Sequence, residues 1–433
     1  MSNNREEVKQ LDQSYWAYVK RQFRKNKRAL FSLYFVGFMV FIALTADFLA
    51  NEKPIYCKYE GKTYFPIFRS YAVSLGLGSW PVEFQNIRWS EIKFDKAIFP
   101  PIPYSPENID YANSQFKSPF DEQRVKSKKW WHWLGTDELG RDVLAGMIHA
   151  TRIALSVGLI SMFISTIIGV ILGSLAGFFG DDKIKLSRIR LWLNVIFFFI
   201  ALFFAFSTRG YAIADGLARS PISMFVQILI SLGIFGAIIL LGNLLAKLFE
   251  KIPYLGTSTN VPVDLTVSRL IEIMVSIPHL FLIIAIVATM ERGSLIMVMV
   301  IIGFTSWTGI ARLIRGELLK VRNLEYIEAA QALGYSPWRS LFKHAIPNAL
   351  SPVLISIAFG IASAVLVEAF LSFIGVGVPP KTVTWGSLLN LARVKPDAWW
   401  LAIFPGFAIF ITVTLFNLIG EGLTDALDPR LKQ

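Results

Sequence analysis

The stretch LFSLYFVGFMVFIALTADFL, from Leu30 to Leu49, is an apolar run long enough to cross a lipid bilayer. The segment before it is polar and basic, without the pattern of a cleavable signal peptide, so we expect this run to remain as a signal anchor. Its flanking basic residues are Arg5, Lys9, Lys20, Arg21, Arg24, Lys25, Lys27 and Arg28, against Glu6, Glu7 and Asp12. This excess of positive charge predicts that the N-terminus lies in the cytoplasm.

The same kind of apolar run recurs along the chain. Runs of spanning length occur at about 29–50, 150–178, 191–208, 221–249, 270–290, 294–312, 349–374 and 400–420. Because 54% of the residues are hydrophobic, only 17% are charged and the mean hydropathy is +0.50, a soluble domain is excluded. The sequence predicts an all-α integral membrane protein with about eight spans. The short stretch MERGS, at 290–294, predicts that the fifth and sixth spans are antiparallel neighbours.

Charge, cysteine and histidine usage exclude several functions. The net charge is +12, but the basic residues gather where apolar runs end, so we expect membrane orientation and no nucleic-acid partner. A single cysteine, Cys57, excludes an intramolecular disulfide. His132, His149, His279 and His344 lack metal-ligand spacing, so no metal site is predicted. Without a P-loop motif, the chain is expected to bind no nucleotide cofactor of its own.

The spans also divide the chain. We predict a cytoplasmic N-terminal segment at 1–28, a first transmembrane helix at 29–50, an extracytoplasmic lobe at 51–149, a second helix with its cytoplasmic turn at 150–182, a further helix pair at 183–263, a core of spans at 264–425 and a cytoplasmic tail at 426–433. The lobe is rich in proline and aromatic residues and is expected to be largely irregular, with a disordered loop as the alternative.

One predicted cytoplasmic stretch, YIEAAQALGYSPWRSLFKHAIPN at 326–348, has the pattern of a helix, a glycine turn and a second helix. Gly334 stands where a helix cap requires a left-handed backbone, and Ser336 with Pro337 is typical of a new helix start. Pro347 is expected to limit the second helix. The residues alone leave two interpretations open: docking into the cleft of a partner, or an amphipathic helix lying on lipid headgroups.

A second stretch, LGTDELGRD at 134–142, precedes the second span. Thr136 is predicted to cap a helix whose first turn carries Asp137 and Glu138, and Asp137 is spaced to pair with Arg141. These carboxylates lack a facing partner for acid–base work, so we predict no catalytic residue. Glu368 is an ionisable residue inside a span, which suggests either a place in a pathway or a structural role near the outer end.

Several of these stretches resemble a known family. EAAQALG at 328–334, followed by IPNALSPV at 346–353, resembles the EAA loop of ABC importer membrane subunits. LGTDELGRDVL, LSFIGVGVPP with TWGSLL between 371 and 389, and GEGLTDALDPRLK at 420–432 resemble the C-type subunit of the dipeptide/oligopeptide/nickel permease family. The resemblance implies a type I ABC importer transmembrane fold of six family spans, to which the pair at 183–263 is an insertion, with a large extracytoplasmic loop.

The resemblance also implies a function. The chain would form half of the pathway of an ATP-driven peptide importer and couple to its ATPases through an EAA loop at 325–347, with Glu328, Ala329, Ala330, Gly334, Ile346 and Pro347 as the coupling residues. Gly135, Thr136, Asp137, Gly140, Arg141 and Asp142 would form its extracytoplasmic motif, and Glu368 a possible pathway residue.

The partners implied are a B-type homologous permease, two cytoplasmic ATPase subunits that carry ATP and magnesium, an extracytoplasmic solute-binding protein, a peptide substrate and membrane lipid. The protein would lie in the inner membrane with both termini in the cytoplasm. Nickel or a peptide-like antibiotic is the alternative substrate. A membrane-embedded enzyme that uses Asp137 and Asp142, or a gradient-driven transporter, is the alternative class.

Overall fold

A computed structural model describes residues 15–85, 87–219, 221–289, 294–379 and 381–427. Its helices are α1 Tyr15–Lys25, α2 Lys27–Leu49, α3 Pro66–Ser74, α4 Val143–Ser174, α5 Arg188–Leu202, α6 Gly210–Arg219, α7 Pro221–Phe249, α8 Val263–Ser276, α9 His279–Ala288, α10 Leu295–Val321, α11 Glu325–Ala332, α12 Pro337–Ser340, α13 Ile346–Ala349, α14 Ser351–Phe373, α15 Trp385–Val394 and α16 Trp400–Leu427. Its strands are β1 Tyr56–Tyr59, β2 Lys62–Tyr64, β3 Lys96–Ile98, β4 Lys185–Ser187 and β5 Ser258–Asn260.

Some of the sequence-based predictions concern residues outside these described ranges. The basic N-terminal residues before 15, most of the reversal predicted at 290–294 and the end of the tail from 428 lie outside the described residues.

The described part of the chain holds seven helices long and apolar enough to cross a membrane. They are α2, α4 continued to Phe179, α5 continued to Ser207, α7 from Ile222, α10, α14 and α16. The remaining predicted span, at 270–290, is a broken one, because α8 and α9 meet at a bend of 82°. Pro278 accounts for the bend, since proline disfavours a helical residue before it and lacks an N–H of its own. The predicted all-α membrane fold of about eight spans is confirmed.

Cα packing divides the chain into two units, which are described separately. The first contains residues 1–54, 98–178 and 268–433, and the second contains residues 55–97 and 179–267.

The centre of the first unit is a backbone contact between α4 and α10. Gly169 and Gly173 follow each other at a spacing of four along α4, and Gly177 continues the series in the π-helical turn that extends it. A Cβ atom on Gly169 would lie 2.9 Å from the carbonyl oxygen of Trp307, and one on Gly173 2.5 Å from that of Ala311. Because no side chain separates them, the two helices approach more closely than larger residues would allow.

The first and last spans also pack together in this unit. A Cβ atom on Gly422 of α16 would collide with Ala29 of α2, and the Asn26 Nδ2 atom donates a hydrogen bond of 3.0 Å to the carboxylate of Asp425. Near the other end of α2, the Arg152 guanidinium of α4 lies 2.7 Å from the carboxylate of Asp47. The first span is therefore held by both α4 and α16.

The second unit contains parts of two predicted segments. Within 51–149, which was predicted to be largely irregular, β1 pairs antiparallel with β2 and forms a small sheet in the order β2-β1-β3. Phe84 and Trp89 stack 5.1 Å apart in its aromatic core. In the segment predicted as an additional pair of spans, α5 and α7 pack side by side, with Phe197 against Gly242. Strands β4 and β5 join the chain before and after these helices.

The glycine contact between α4 and α10 predicts an asymmetric response to added side chains. Gly173→Leu forces a side chain into the Ala311 backbone, so the purified protein should unfold at a lower temperature in detergent, with a cost of about 1–3 kcal/mol for overpacking. Gly316→Leu is the matched control on α10, because a Cβ atom there meets nothing within 4 Å. Equal melting temperatures for the two variants would contradict a tight contact at Gly173.

Candidate functional site

The first candidate site is the coupling segment, residues 325–347. Its first helix, α11, ends in a left-handed turn at Gly334, where φ is +84°. The N–H group of Tyr335 donates to the carbonyl oxygen of Ala330, at 3.1 Å, which closes the glycine cap that the sequence predicts. Ser336 then caps α12, since its Oγ atom accepts a hydrogen bond of 3.3 Å from the Arg339 N–H group.

The second half of the coupling segment continues past its proline. Residues 341–345 form a π-helical turn, and the N–H group of Ile346 donates to the carbonyl oxygen of Leu341. This wider turn precedes Pro347, whose ring would clash with the carbonyl four residues back in a regular helix. Pro347 therefore lies inside the first turn of α13. The sequence had predicted that this proline would end the helix, but the chain remains helical past it.

The coupling segment has a buried face and an exposed face. Ile327, Ala330, Leu341 and Ala345 are buried, while Leu333 is 79% and Phe342 63% exposed. Glu328, Ala329, Gly334 and Pro347 are exposed and Ile346 is half-buried. Leu333 follows the end of α11 at Ala332, so it lies in the turn and not on the helix face that buries Ala330. The exposed face is a surface with large apolar side chains.

Aromatic contacts hold this exposed surface. The Arg339 guanidinium lies 4.2 Å from the centre of the Tyr335 ring, and Tyr335 stacks on His344 with ring centres 5.9 Å apart. Trp338 stacks on Phe342 at 6.1 Å. These contacts cross the turn and the two helical pieces after it, so the surface has a fixed shape.

The second candidate site is the outer loop, residues 134–142. Thr136 does not cap a helix, as had been predicted: its Oγ1 atom donates to the carbonyl oxygen of Asn113 at 2.7 Å and accepts from the N–H group of Lys117 at 3.0 Å. Helix α4 is instead capped by Asp142, whose carboxylate accepts from the Ala145 N–H group at 2.7 Å. Both residues are suited to capping, and contacts with a distant segment decide between them.

Tight backbone geometry explains the other motif residues of the outer loop. Asp137 pairs with the Arg141 guanidinium at 2.6 Å, across a turn and not along a helix, and also accepts from the Arg141 N–H group. Gly135 and Gly140 have φ values of +75° and +83°. A Cβ atom on Gly140 would collide with the backbone of Asp110. Asp137 and Asp142 are buried and occupied in these structural contacts.

A buried histidine fastens the outer loop and was missed by the sequence analysis. The His132 ring lies 2.8 Å from the carboxylate of Asp142 and 3.3 Å from that of Asp110, and it stacks on Tyr104. Burial alone would lower the pKa of His132, but hydrogen bonds to Asp110 and Asp142 outweigh burial and raise it. Burial would raise the pKa of Asp110, but its hydrogen bonds to His132 and Asn113 lower it.

Glu368 and a cavity near it are the candidate features of a transport pathway. Glu368 is 1% exposed, accepts a hydrogen bond of 2.5 Å from the Ser372 hydroxyl, and does not line the cavity. The cavity, of about 460 Å³, lies beside the break between α8 and α9 and is lined by His279, Thr305, Ser306 and Ser363. Only the proline before His279 signals this place in the sequence. Among the described residues, no group of three or more His, Cys, Asp or Glu side chains could hold a metal ion.

Comparison with known proteins identifies the architecture. Residues 238–433 match the model of the binding-protein-dependent transport system inner membrane component, and residues 14–66 match the N-terminal transmembrane domain of oligopeptide transport permease C. The glutathione transport system permease protein GsiD of Pectobacterium atrosepticum is 30% identical over 76% of this chain and 80% of its own length.

Two further relatives agree with these matches. The di/tripeptide transport system permease protein DppC of Pseudomonas aeruginosa is 31% identical over 69% of this chain and 72% of its own length. The peptidoglycan transport system permease protein YejE of Agrobacterium fabrum is 26% identical over 95% of this chain and 92% of its own length.

The spans, the helix–glycine–helix segment and the outer loop define a membrane subunit of a type I ABC importer. The chain belongs to the family of binding-protein-dependent transport permeases, as an ABC peptide transporter permease of the C type. It is a multi-pass protein of the inner membrane, and its family consists of permease subunits and not of catalytic enzymes.

The raised pKa of His132 predicts how stability depends on pH. A histidine whose pKa is raised on folding stabilises the protein fully below its ordinary value of about 6.5, and this contribution is lost as pH rises through the folded value. The melting temperature in detergent should therefore fall as the pH rises above about 6.5 for the natural protein and stay flatter for His132→Gln.

Asp110→Asn provides a second comparison. It removes one carboxylate from the His132 ring, so the folded pKa should be raised less, and the decline should be smaller and end at a lower pH than in the natural protein. Identical pH profiles for all three proteins would show that His132 is not charged when folded.

Proposed function

We propose that this chain is one half of the translocation pathway of an ATP-driven peptide importer and that the coupling segment receives the movement of the ATPase subunits. Membership of the family implies a second permease, ATPases and an extracytoplasmic binding protein as partners. We infer that the second permease is a B-type homologue and that ATP and magnesium bind to two cytoplasmic ATPase subunits.

The exposed face of the coupling segment carries this proposal. Leu333, Trp338 and Phe342 expose apolar side chains, and the rings of Trp338 and Phe342 stack on each other, which limits their movement. A pre-organised apolar surface loses little conformational entropy when it docks into a protein cleft. A helix lying on lipid would need one continuous apolar stripe, whereas this segment turns at Gly334. These features favour a protein partner over the lipid surface.

Orientation follows from the same proposal. Helix α10 runs directly into the coupling segment, and its last turns carry Arg315, Lys320 and Arg322. Excess basic residues favour the cytoplasmic side. We therefore infer that the coupling segment, the N-terminus and the C-terminus are cytoplasmic and that the outer loop is extracytoplasmic, where the binding protein would deliver its cargo.

The substrate class is proposed from the relatives. Glutathione, di- and tripeptides and peptidoglycan are named in the descriptions of three of them, and all contain peptide bonds. We propose a peptide as the cargo of this chain. Nickel and a peptide-like antibiotic remain the alternatives that a transport assay would separate.

Cross-linking tests the docking proposal directly. Cys57 is buried and burial raises its pKa to about 11, so Cys57→Ala leaves a background without thiols. In that background, Leu333→Cys with a short thiol cross-linker in native membranes should capture a P-loop ATPase, because Leu333 projects from the exposed face. Ala330→Cys, at a position only 8% exposed, is the matched control and should capture far less. An ATPase captured equally at both positions, or at neither, contradicts the proposal.

Gly334 provides a functional test. Gly334→Val places a β-branched residue at a φ of +84°, so the turn should distort and ATP-dependent peptide uptake should fall at least about tenfold at unchanged membrane level. Gly334→Asn is the control, because asparagine tolerates the left-handed region. Uptake by Gly334→Val at the rate of the natural protein would show that the turn geometry does not transmit the movement.

A further inference from the structure

The cavity at the break between α8 and α9 has an uncommon lining for a membrane-spanning region. His279 lies at the start of α9, Thr305 and Ser306 on α10, and Ser363 on α14. None of the described residues that line the cavity is acidic, lysine or arginine. Met162 and Met274 contribute flexible apolar walls. The lining therefore offers uncharged hydrogen-bonding groups and adaptable apolar surface.

These polar groups lie at mid-membrane depth. At about 1.5 Å per residue, Thr305 lies about 15 Å along α10 from Leu295, which is half of a hydrocarbon core about 30 Å thick. Ser363 is the thirteenth residue of the 23 in α14. Exposed hydroxyl and imidazole groups at this depth are costly against lipid. They must face water, a partner subunit or cargo, which is where broken helices occur in transporters.

The hydrogen bonds around His279 favour one position for the proton of its ring. The Thr305 hydroxyl donates to the carbonyl oxygen of Ile301 at 2.8 Å, and the Ser306 hydroxyl donates to that of Ile302 at 2.7 Å. The Thr305 oxygen, 3.0 Å from the His279 Nε2 atom, can then only accept, so Nε2 of the neutral ring donates. The Nδ1 atom is left as an acceptor, with no partner among the described residues.

The end of α8 forms another part of the cavity lining. Val275, Ile277 and Pro278 border the cavity. Beyond the break, the carbonyl groups at the end of α8 lose the regular backbone donors of their own helix, and Pro278 has no N–H group to offer. The Ser276 hydroxyl donates to the carbonyl oxygen of Ile273 at 2.8 Å, and the Leu282 N–H group donates to that of Pro278 at 3.1 Å, which leaves the carbonyl groups of Val275 and Ile277 as acceptors. A ligand that fits this lining therefore offers N–H donors to the acceptors of the cavity. It carries no charge that the lining would have to neutralise, because no charged side chain in the described part of the chain lines the cavity. Peptide bonds meet this requirement whatever the side chains are.

Resting on the proposed function, we propose that His279 is a cargo-contacting residue of the pathway whose Nδ1 atom accepts a hydrogen bond from a backbone N–H group of the passing peptide. Ser306 and Ser363 flank this contact with hydroxyl groups, and the methionine walls accommodate varied side chains. The contact recognises the backbone of the cargo and not its side chains, which suits a pathway for peptides of different sequences.

The test uses the assembled transporter with its partner subunits in proteoliposomes. The probes are labelled tri-alanine and the same peptide methylated on both amide nitrogens, which removes the amide N–H donors. His279→Phe keeps a flat ring without nitrogen atoms, His279→Gln restores an acceptor, and Phe281→Leu, at a 72% exposed position outside the cavity, is the control on the same helix. The KM and maximal rate of uptake are measured for both peptides, together with ATP hydrolysis without peptide.

We expect His279→Phe to raise the KM for tri-alanine about tenfold, the effect of one lost hydrogen bond, and Phe281→Leu to leave this KM and the ATP hydrolysis unchanged. The ratio of the two KM values should also fall about tenfold, because the variant no longer senses methylation, and His279→Gln should recover part of it. An unchanged ratio in His279→Phe would overturn the proposed contact while peptide import stands. If the natural transporter takes up neither peptide, the proposed function itself fails.

Discussion

The backbone contact between α4 and α10 is the constraint on which the first unit depends. In a membrane, apolar side chains gain nothing by leaving lipid for protein, so close backbone approach and interhelical hydrogen bonds must hold helices together. Gly169, Gly173 and Gly177 allow this approach, and the Ser161 hydroxyl adds a hydrogen bond of 2.8 Å to the carbonyl oxygen of Met299. Helix α4 begins at the outer loop, and α10 leads into the coupling segment. One rigid pair thus joins the two candidate sites, with the cavity beside its middle.

Much of this arrangement could be predicted from the sequence, because its causes are local or compositional. Apolar length marks the spans, since a helix in lipid must satisfy its own backbone. Gly334 and the Ser336-Pro337 pair mark the turn of the coupling segment, since cap chemistry depends on neighbouring residues.

The remainder depends on partners far away along the chain. Thr136 and Asp142 are both suited to capping a helix. The Thr136 hydroxyl is bonded to the backbone of Asn113 and Lys117, so Asp142 caps α4 instead. The role of His132 needs Asp110 beside it, which no spacing reveals. The cavity around His279 forms from five helices, so a single apolar run could indicate the proline but not the space that its bend leaves.

The packing of α2 against α16 has a consequence for biosynthesis. Chains are made from the N-terminus, so α2 enters the membrane first and α4 can join it early through the Asp47–Arg152 ion pair. The contact of the start of α2 with Gly422 and Asp425 exists only after α16 has been translated. Until then, one side of the first span faces lipid or an insertion chaperone. The packing of α2 against α16 is thus the last assembly step of this unit. A ribosome that stalls before α16 leaves a subunit in which this contact is missing.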